Sequence, residues 1–291
     1  MIRIYIVTYK RNDILNRNLT SLWASLSSPE DVQVTVIANH PEVVIDPANS
    51  RANLSIRINE TRPTNAWGYL SRDWNFGLLD AFRDSENSNN TNWAVLAQND
   101  VVWSPGWQSR LLEEKRYDFI SQPRGDQLMA FRIEGVRRIG FFDERFFTLH
   151  FQEVDYFYRA ILQHPERASV NDDHIESGCV WNGLDYRLIE PTFSGVMEND
   201  QLHTVRSNRE LGYWLMNKWR IPYNKQVHDL VARCAETKER GVLPTEINWY
   251  PFFWKKPEPC CDRFLEEYKK PPFTLRWMLK MIRARLRELK G

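Results

Sequence analysis

The chain is short of glycine, of long apolar runs and of any charge imbalance, and each shortage removes a class of function. Lysine and arginine number 39 against 38 aspartates and glutamates, for a formal net charge of +1. No global field therefore draws the molecule to nucleic acid. No apolar stretch approaches the roughly 18 residues that a membrane-spanning helix needs. Only 12 glycines are present in 291 residues, and Tyr9-Lys10-Arg11-Asn12, after the first apolar stretch, contains none. A glycine-rich phosphate loop is excluded there. The 4 cysteines, Cys179, Cys234, Cys260 and Cys261, show no C-x-x-C spacing, so neither a disulfide framework nor a zinc site is expected. The opening MIRIYIVTYKR has too short an apolar part for a signal peptide and runs straight into charges. A cytoplasmic, reduced protein is the expectation, with length enough for one large domain or a domain with an appendage.

Aromatic residues are abundant, 12 of them tryptophan. Such rings can stack on sugars or bases, although most are expected to fill the core. Ile2 to Thr8 is rich in β-branched residues and predicts a strand. Leu15, Leu19, Leu22 and Leu26 then recur at helical spacing, with Asn12 or Asp13 as the cap. Val32 to Ala38 predicts a second strand, closed by Asn39-His40-Pro41. Strand, helix, strand in 40 residues begins a βαβ unit and a parallel sheet. Leu54 to Ile58 is a candidate third strand. Asn65 to Leu79 enters a helix with Trp67, Leu70, Trp74 and Leu78 on one face.

The stretch Asn92 to Trp107 is the centre of the chain. Trp93 to Ala97 is a short apolar run between polar residues, as in a buried strand. It ends in Gln98-Asn99-Asp100, and open α/β sheets bind ligands at the carboxyl ends of their strands. Asp100 there suits a hard divalent cation held against a phosphate, because Mg²⁺ often uses only one or two carboxylates. Further on, a helix near Trp107 to Lys115, strands at Asp118 to Gln122 and Gln127 to Arg132, and a helix at Glu134 to Ile139 are expected. Glu153 and Asp155 precede a helix running to about Gln163, where the positive end of the macrodipole favours anions. They are either ordinary helix-start acids or a carboxylate base facing a pocket.

Together these stretches resemble the family 2 glycosyltransferases over about residues 1–220. Asn65-x-x-Gly68 with Arg72-Asp-x-Asn75-x-Gly77 is similar to the family's N-x-G followed by A-R-N-x-G. Gln98-Asn99-Asp100 with Pro105-Gly106-Trp107 is similar to its D-x-D metal motif and trailing P-G-W. Gly140-Phe-Phe-Asp143-Glu144-x-Phe146-Phe147, then Gln152-Glu153-x-Asp155, resembles G-x-F-D-E-x-F and E-D-x-D. Asn208 to Trp219 resembles the closing N…K-W segment. Three positions depart: Gln98 stands first in the metal motif, Gln152-Glu153 replaces the acidic pair, and Asn39 stands where an acid is frequent.

The resemblance implies a GT-A fold, α/β with a mixed, mostly parallel sheet flanked by helices. It also implies inverting transfer from a nucleotide-diphospho-sugar (UDP- or dTDP-type) to a glycan or lipid-linked acceptor. It implies Glu153 as general base with Asp155 as second carboxylate. Asp100 and His203 would hold Mn²⁺ or Mg²⁺, and Thr8, Tyr9, Asn39, Arg72 and Asn99 would line the nucleotide site. The catalytic domain would span 1–220 and a helical extension 221–291. In that extension Leu275, Met278, Leu279, Ile282, Leu286 and Leu289 form one stripe of an amphipathic helix over 273–290. Arg276, Lys280, Arg283 and Arg287 form a basic stripe beside it, suited to a membrane surface or to packing on the domain. The rival readings are a silent GT-A module that binds without turnover and a sugar nucleotidyltransferase.

Overall fold

The structure, a computed structural model, describes residues 1–59, 70–82, 91–115, 117–121, 127–143, 152–153 and 155–156, together with the backbone of four short strands between 169 and 191. His203 and the whole of 221–291 lie outside the described residues, as do 60–69.

Four strands form the parallel heart of the sheet: β1 (Ile2–Thr8), β2 (Val32–Ala38), β3 (Leu54–Ile58) and β4 (Trp93–Gln98). They are followed by β5 (Val101–Trp103), β6 (Phe119–Ser121) and β7 (Leu128–Phe131). The last four are β8 (Ser169–Asn171), β9 (His174–Glu176), β10 (Val180–Asn182) and β11 (Ile189–Pro191). The main sheet runs β3-β2-β1-β4-β7-β6-β10-β9-β8, and β5 pairs with β11 separately. From the pairings, every strand of the main sheet except β7 and β9 points the same way. The mixed, mostly parallel α/β sheet expected from the sequence is the sheet found.

Two apolar layers cover it. Ile2, Ile4 and Ile6 of β1, with Val34 and Val36 of β2 and Val95 of β4, are buried with Leu15, Leu19 and Leu22 of helix α1 (Asn12–Ser25). Trp93, Trp103 and Trp107 belong to the same core, so these rings fill the interior. The opposite face carries Tyr5 and Leu96, against which helix α2 (Leu70–Phe82) packs. The approach is close: a Cβ on Gly77 would lie 2.8 Å from the Tyr5 ring and 3.0 Å from Leu96. Tyr5 donates its hydroxyl to Asp80 Oδ2 at 2.7 Å, and burial, then the Asp80 charge, holds its pKa well above the ordinary phenol value. Helix α3 (Trp107–Glu113) and helix α4 (Ile133–Ile139) follow β5 and β7.

The start of α1 differs from the expected cap. Arg11 holds the N-cap position without a side-chain capping bond. Asn12 and Asn16, one turn apart and so on one face, instead hold the segment after β2. Asn12 Nδ2 donates to the Glu42 carbonyl at 2.9 Å and Asn16 Nδ2 to the Val44 carbonyl at 3.0 Å. In return the Val44 and Asp46 amides donate to Asn12 Oδ1 and Asn16 Oδ1 at 3.2 and 2.8 Å. Residues 42–49 are irregular in sequence and ordered by asparagine side chains.

Candidate functional site

The carboxyl ends of β1, β2, β3 and β4 lie side by side, because Thr8 pairs with Ala38, Ala38 with Ile58, and Val7 with Gln98. The next residue of each chain segment therefore projects at one edge: Tyr9, Asn39, Asn59 and Asn99. Since α2 returns antiparallel to the strand it feeds, its first turn reaches the same edge and brings Arg72 and Asp73.

Hydrogen bonds link Asn99, Thr8, Asn39, Asp73, Arg72 and Asn59 in an unbroken series. Asn99 Nδ2 donates to Thr8 Oγ1 at 3.0 Å, and the Asn39 amide donates to the Thr8 carbonyl at 3.0 Å. Asn39 Nδ2 donates to Asp73 Oδ2 at 2.5 Å. Arg72 reaches Asp73 Oδ1 through Nε at 3.2 Å and Nη2 at 3.1 Å, and Asn39 Oδ1 through Nη2 at 3.3 Å. Asn59 Nδ2 closes the set on Asn39 Oδ1 and Asp73 Oδ1, both at 3.0 Å. Five of the residues singled out from the sequence, Thr8, Tyr9, Asn39, Arg72 and Asn99, thus share one edge with Asp100. Thr8, Asn39 and Asn99 are buried, and the half-buried Tyr9 stands edge-on to His40 with ring centroids 6.1 Å apart.

Lys10, in the turn that leaves β1, has φ 59°, the only positive φ of a non-glycine residue among those described. Its Nζ lies 5.0 Å from the Tyr9 ring centroid. A left-handed lysine costs roughly 1–2 kcal/mol, and that strain sits at the same edge of the sheet.

Asp100 follows directly, in the turn between β4 and β5. Burial raises its pKa, opposed by its own backbone amide and by the charge of Arg17. A desolvated carboxylate at this edge fits a divalent cation that takes its remaining ligands from phosphate and water. Among the described residues no group of three histidine, cysteine, aspartate or glutamate side chains gathers into a complete metal cage. A cation here would depend on oxygens brought by the ligand or by residues outside that set.

Glu153 and Asp155 belong to a helical segment anchored on α2. Asn75 of α2 clamps the backbone of Phe142 from both sides, donating to its carbonyl at 2.9 Å and accepting from its amide at 2.8 Å. Phe142 stacks on Tyr156 with centroids 4.4 Å apart, and the Tyr156 hydroxyl donates to the Gly140 carbonyl at 3.0 Å. Gln152, Asp155 and Tyr156 are wholly enclosed, whereas Glu153 is half-buried. Of the two residues, Glu153 is the more exposed, although its Oε2 is buried.

Sequence reasoning passed over Asp73 and Asn59. Both had a local cue: Asn59 ends a strand beside the strand ended by Asn39, and Asp73 follows the one arginine singled out on α2. Their joining needed the parallel register of β2 and β3, which no local pattern states.

No protein-family model matches the chain, and no curated protein matches it. Among solved structures it is similar to the mannosyltransferase PcManGT from Pyrobaculum calidifontis in complex with GDP-Man and Mn²⁺. The identity is 12%, over 98% of this chain and 79% of that one, with a TM-score of 0.49. It is also similar to S. aureus TarS 1–349, at 11% identity over 81% and 71% of the two chains and a TM-score of 0.45. The complex of TarS 1–349 with UDP-GlcNAc gives 11% identity, 67% and 59% coverage and a TM-score of 0.43.

Proposed function

We propose that the chain is a glycosyltransferase that moves a sugar, with inversion, from a nucleotide-diphospho-sugar to a hydroxyl of a glycan or lipid-linked acceptor. One observation carries the reading. Three strand ends and the first turn of α2 bring Thr8, Asn39, Arg72, Asn99 and Asp100 to a single sheet edge, in the order of the motifs that resemble family 2 glycosyltransferases.

Transfer with inversion needs an activated hydroxyl, an anomeric carbon open to in-line attack, and a leaving diphosphate whose growing charge is neutralised. Glu153 is the general base of this reading, because a carboxylate must reach the acceptor proton directly. Asp155, enclosed two residues on, supports the geometry of that segment. Arg72 faces the diphosphate, and Tyr9 and Asn39 border the nucleoside. Asp100 would hold a divalent cation, Mn²⁺ or Mg²⁺, which when bound would supply Lewis-acid stabilisation of the charge on the leaving diphosphate. His203 is its further ligand in this reading.

The test is release of nucleoside diphosphate from UDP-, dTDP- and GDP-sugars with Mn²⁺ present. Glu153→Gln keeps the size of the side chain and one acceptor oxygen and removes the base. Turnover should fall by roughly 10²–10⁴-fold with donor affinity retained. Undiminished turnover in that variant would remove Glu153 from the mechanism. Donor binding without turnover in the unsubstituted chain would favour the silent module instead, a reading motivated by Gln98 and Gln152.

A further inference from the structure

We infer that Asp73 is a positioning residue, whose carboxylate fixes the plane of the Arg72 guanidinium and so sets the preference of this edge for a diphosphate over a monophosphate. The inference rests on the nucleotide-sugar reading above and adds a residue and a selectivity to it.

Asp73 is 1% exposed. Its two oxygens accept from three side chains on three different elements: Oδ2 from Asn39, and Oδ1 from Asn59 and twice from Arg72. Neighbouring residues of a helix point in different directions, so an ion pair between Arg72 and Asp73 is not the usual helical pair at three or four residues. Here the arginine folds back along its own helix start. An enclosed ion pair of this kind is a poor source of net stability compared with apolar packing of the same volume. Its location gives it another use. It stands at the carboxyl edge of a parallel sheet, where ligands bind, and not in either apolar layer.

The geometry indicates how it acts. With Nε and Nη2 directed at Asp73 Oδ1 and Nη2 also at Asn39 Oδ1, the guanidinium has one orientation relative to β2. A planar fork held in place loses little freedom when a ligand arrives, and planar forks suit the paired oxygens of phosphates. An arginine released from Asp73 keeps its charge and loses that orientation. Charge alone attracts any phosphate, whereas orientation separates two linked phosphates from one.

The experiment is calorimetric titration of the full chain, with Mn²⁺ present. The probes are UDP, GDP and dTDP, then the monophosphate of whichever binds, each run well below the melting temperature of the variant. In Asp73→Asn the ratio of monophosphate to diphosphate dissociation constants should fall about tenfold, the equivalent of one charge-assisted contact. Arg72→Lys, which keeps the charge and removes the fork, should lower it equally, and combining the two should lower it no further. The double variant N39D/D73N returns the negative charge to the other side of the same hydrogen bond, within reach of Arg72 Nη2, and should restore the ratio. A merely structural Asp73 would weaken both nucleotides alike or neither, leaving the ratio at its original value, and that result overturns the inference alone. Absence of binding by the unsubstituted chain to all three diphosphates overturns the nucleotide reading, and this inference with it.

Discussion

At the scale of single residues, two aspartates show how position sets the sign of a carboxylate's contribution. Asp13 is exposed, and its hydrogen bond from Arg11 lowers its pKa from 3.8 to about 2. Its native value is depressed, so its contribution is complete above 3.8 and is lost as pH falls towards about 2. Asp100 is the reverse case. Its native pKa is raised by burial, so the ionised form opposes folding, and that penalty is relieved as pH falls through the raised value. Asp100→Asn should therefore stabilise the metal-free protein, by on the order of 1 kcal/mol or roughly 2–4 °C in melting temperature. The same variant should lose any Mn²⁺-dependent shift. A scanning calorimeter with and without the ion checks both halves. Destabilisation of the metal-free form would show that the carboxylate is held by favourable partners. Acidification should weaken Mn²⁺ binding at a pH above the ordinary aspartate range, because the ion competes with a proton for a group that holds it more tightly than usual.

At the scale of elements, close approach decides what two glycines do. In an exposed helix, glycine to alanine gains up to about 1 kcal/mol. Gly77 should reverse that sign, because its Cβ would meet the Tyr5 ring at 2.8 Å and the ring is tethered through its hydroxyl to Asp80. Gly135 should cost more than Gly77, because its Cβ would meet the backbone carbonyl oxygen of Asp118 at 2.5 Å, an atom that cannot rotate away. Overpacking typically costs 1–3 kcal/mol (about 2 is the expectation for Gly77→Ala), and denaturant midpoints of the two variants give the order. A gain in stability for either would contradict the packing described. Asn16 makes the complementary case. Its side chain bonds the Val44 carbonyl, the Asp46 amide and Asn49, so Asn16→Ala should cost about 2–4 kcal/mol and free the amide of Asp46 to exchange, while the Val44 amide keeps its bond to Asn12 Oδ1. Hydrogen exchange at the Asp46 amide measures it directly. The spacing of Leu15, Leu19 and Leu22 was enough to place α1, since the period states which face is buried. That Asn12 would clamp a distant loop, not cap the helix, had no such signal, because an asparagine's partner 30 residues away leaves no period.

At the scale of the molecule, the sheet edge unites what the sequence presents as separate motifs. The βαβ opening and the apolar run at Trp93 to Ala97 were sufficient to place these strands in one parallel sheet, and the candidate residues Thr8, Asn39 and Asn99 stand at their carboxyl ends. The reversed direction of β7 was not readable, since Leu128 to Phe131 would look the same in either sense. Nor was the hub at Asp73, which exists only once β2 and β3 lie in register beside α2. No helix among the described residues is long and apolar enough to cross a membrane. The central claim is that this edge binds a nucleotide with a divalent cation through Asp100. It is tested most directly by thermal shift with UDP, dTDP, GDP and CMP, each with and without Mn²⁺, on the unsubstituted chain and on Asp100→Ala. Binding to the native state raises the melting temperature by mass action, by an amount worth about 2.7 kcal/mol at a hundredfold excess over the dissociation constant. The account predicts a shift with one nucleotide series that requires Mn²⁺ and disappears in Asp100→Ala. No shift with any nucleotide, or a shift unchanged in Asp100→Ala, would contradict it.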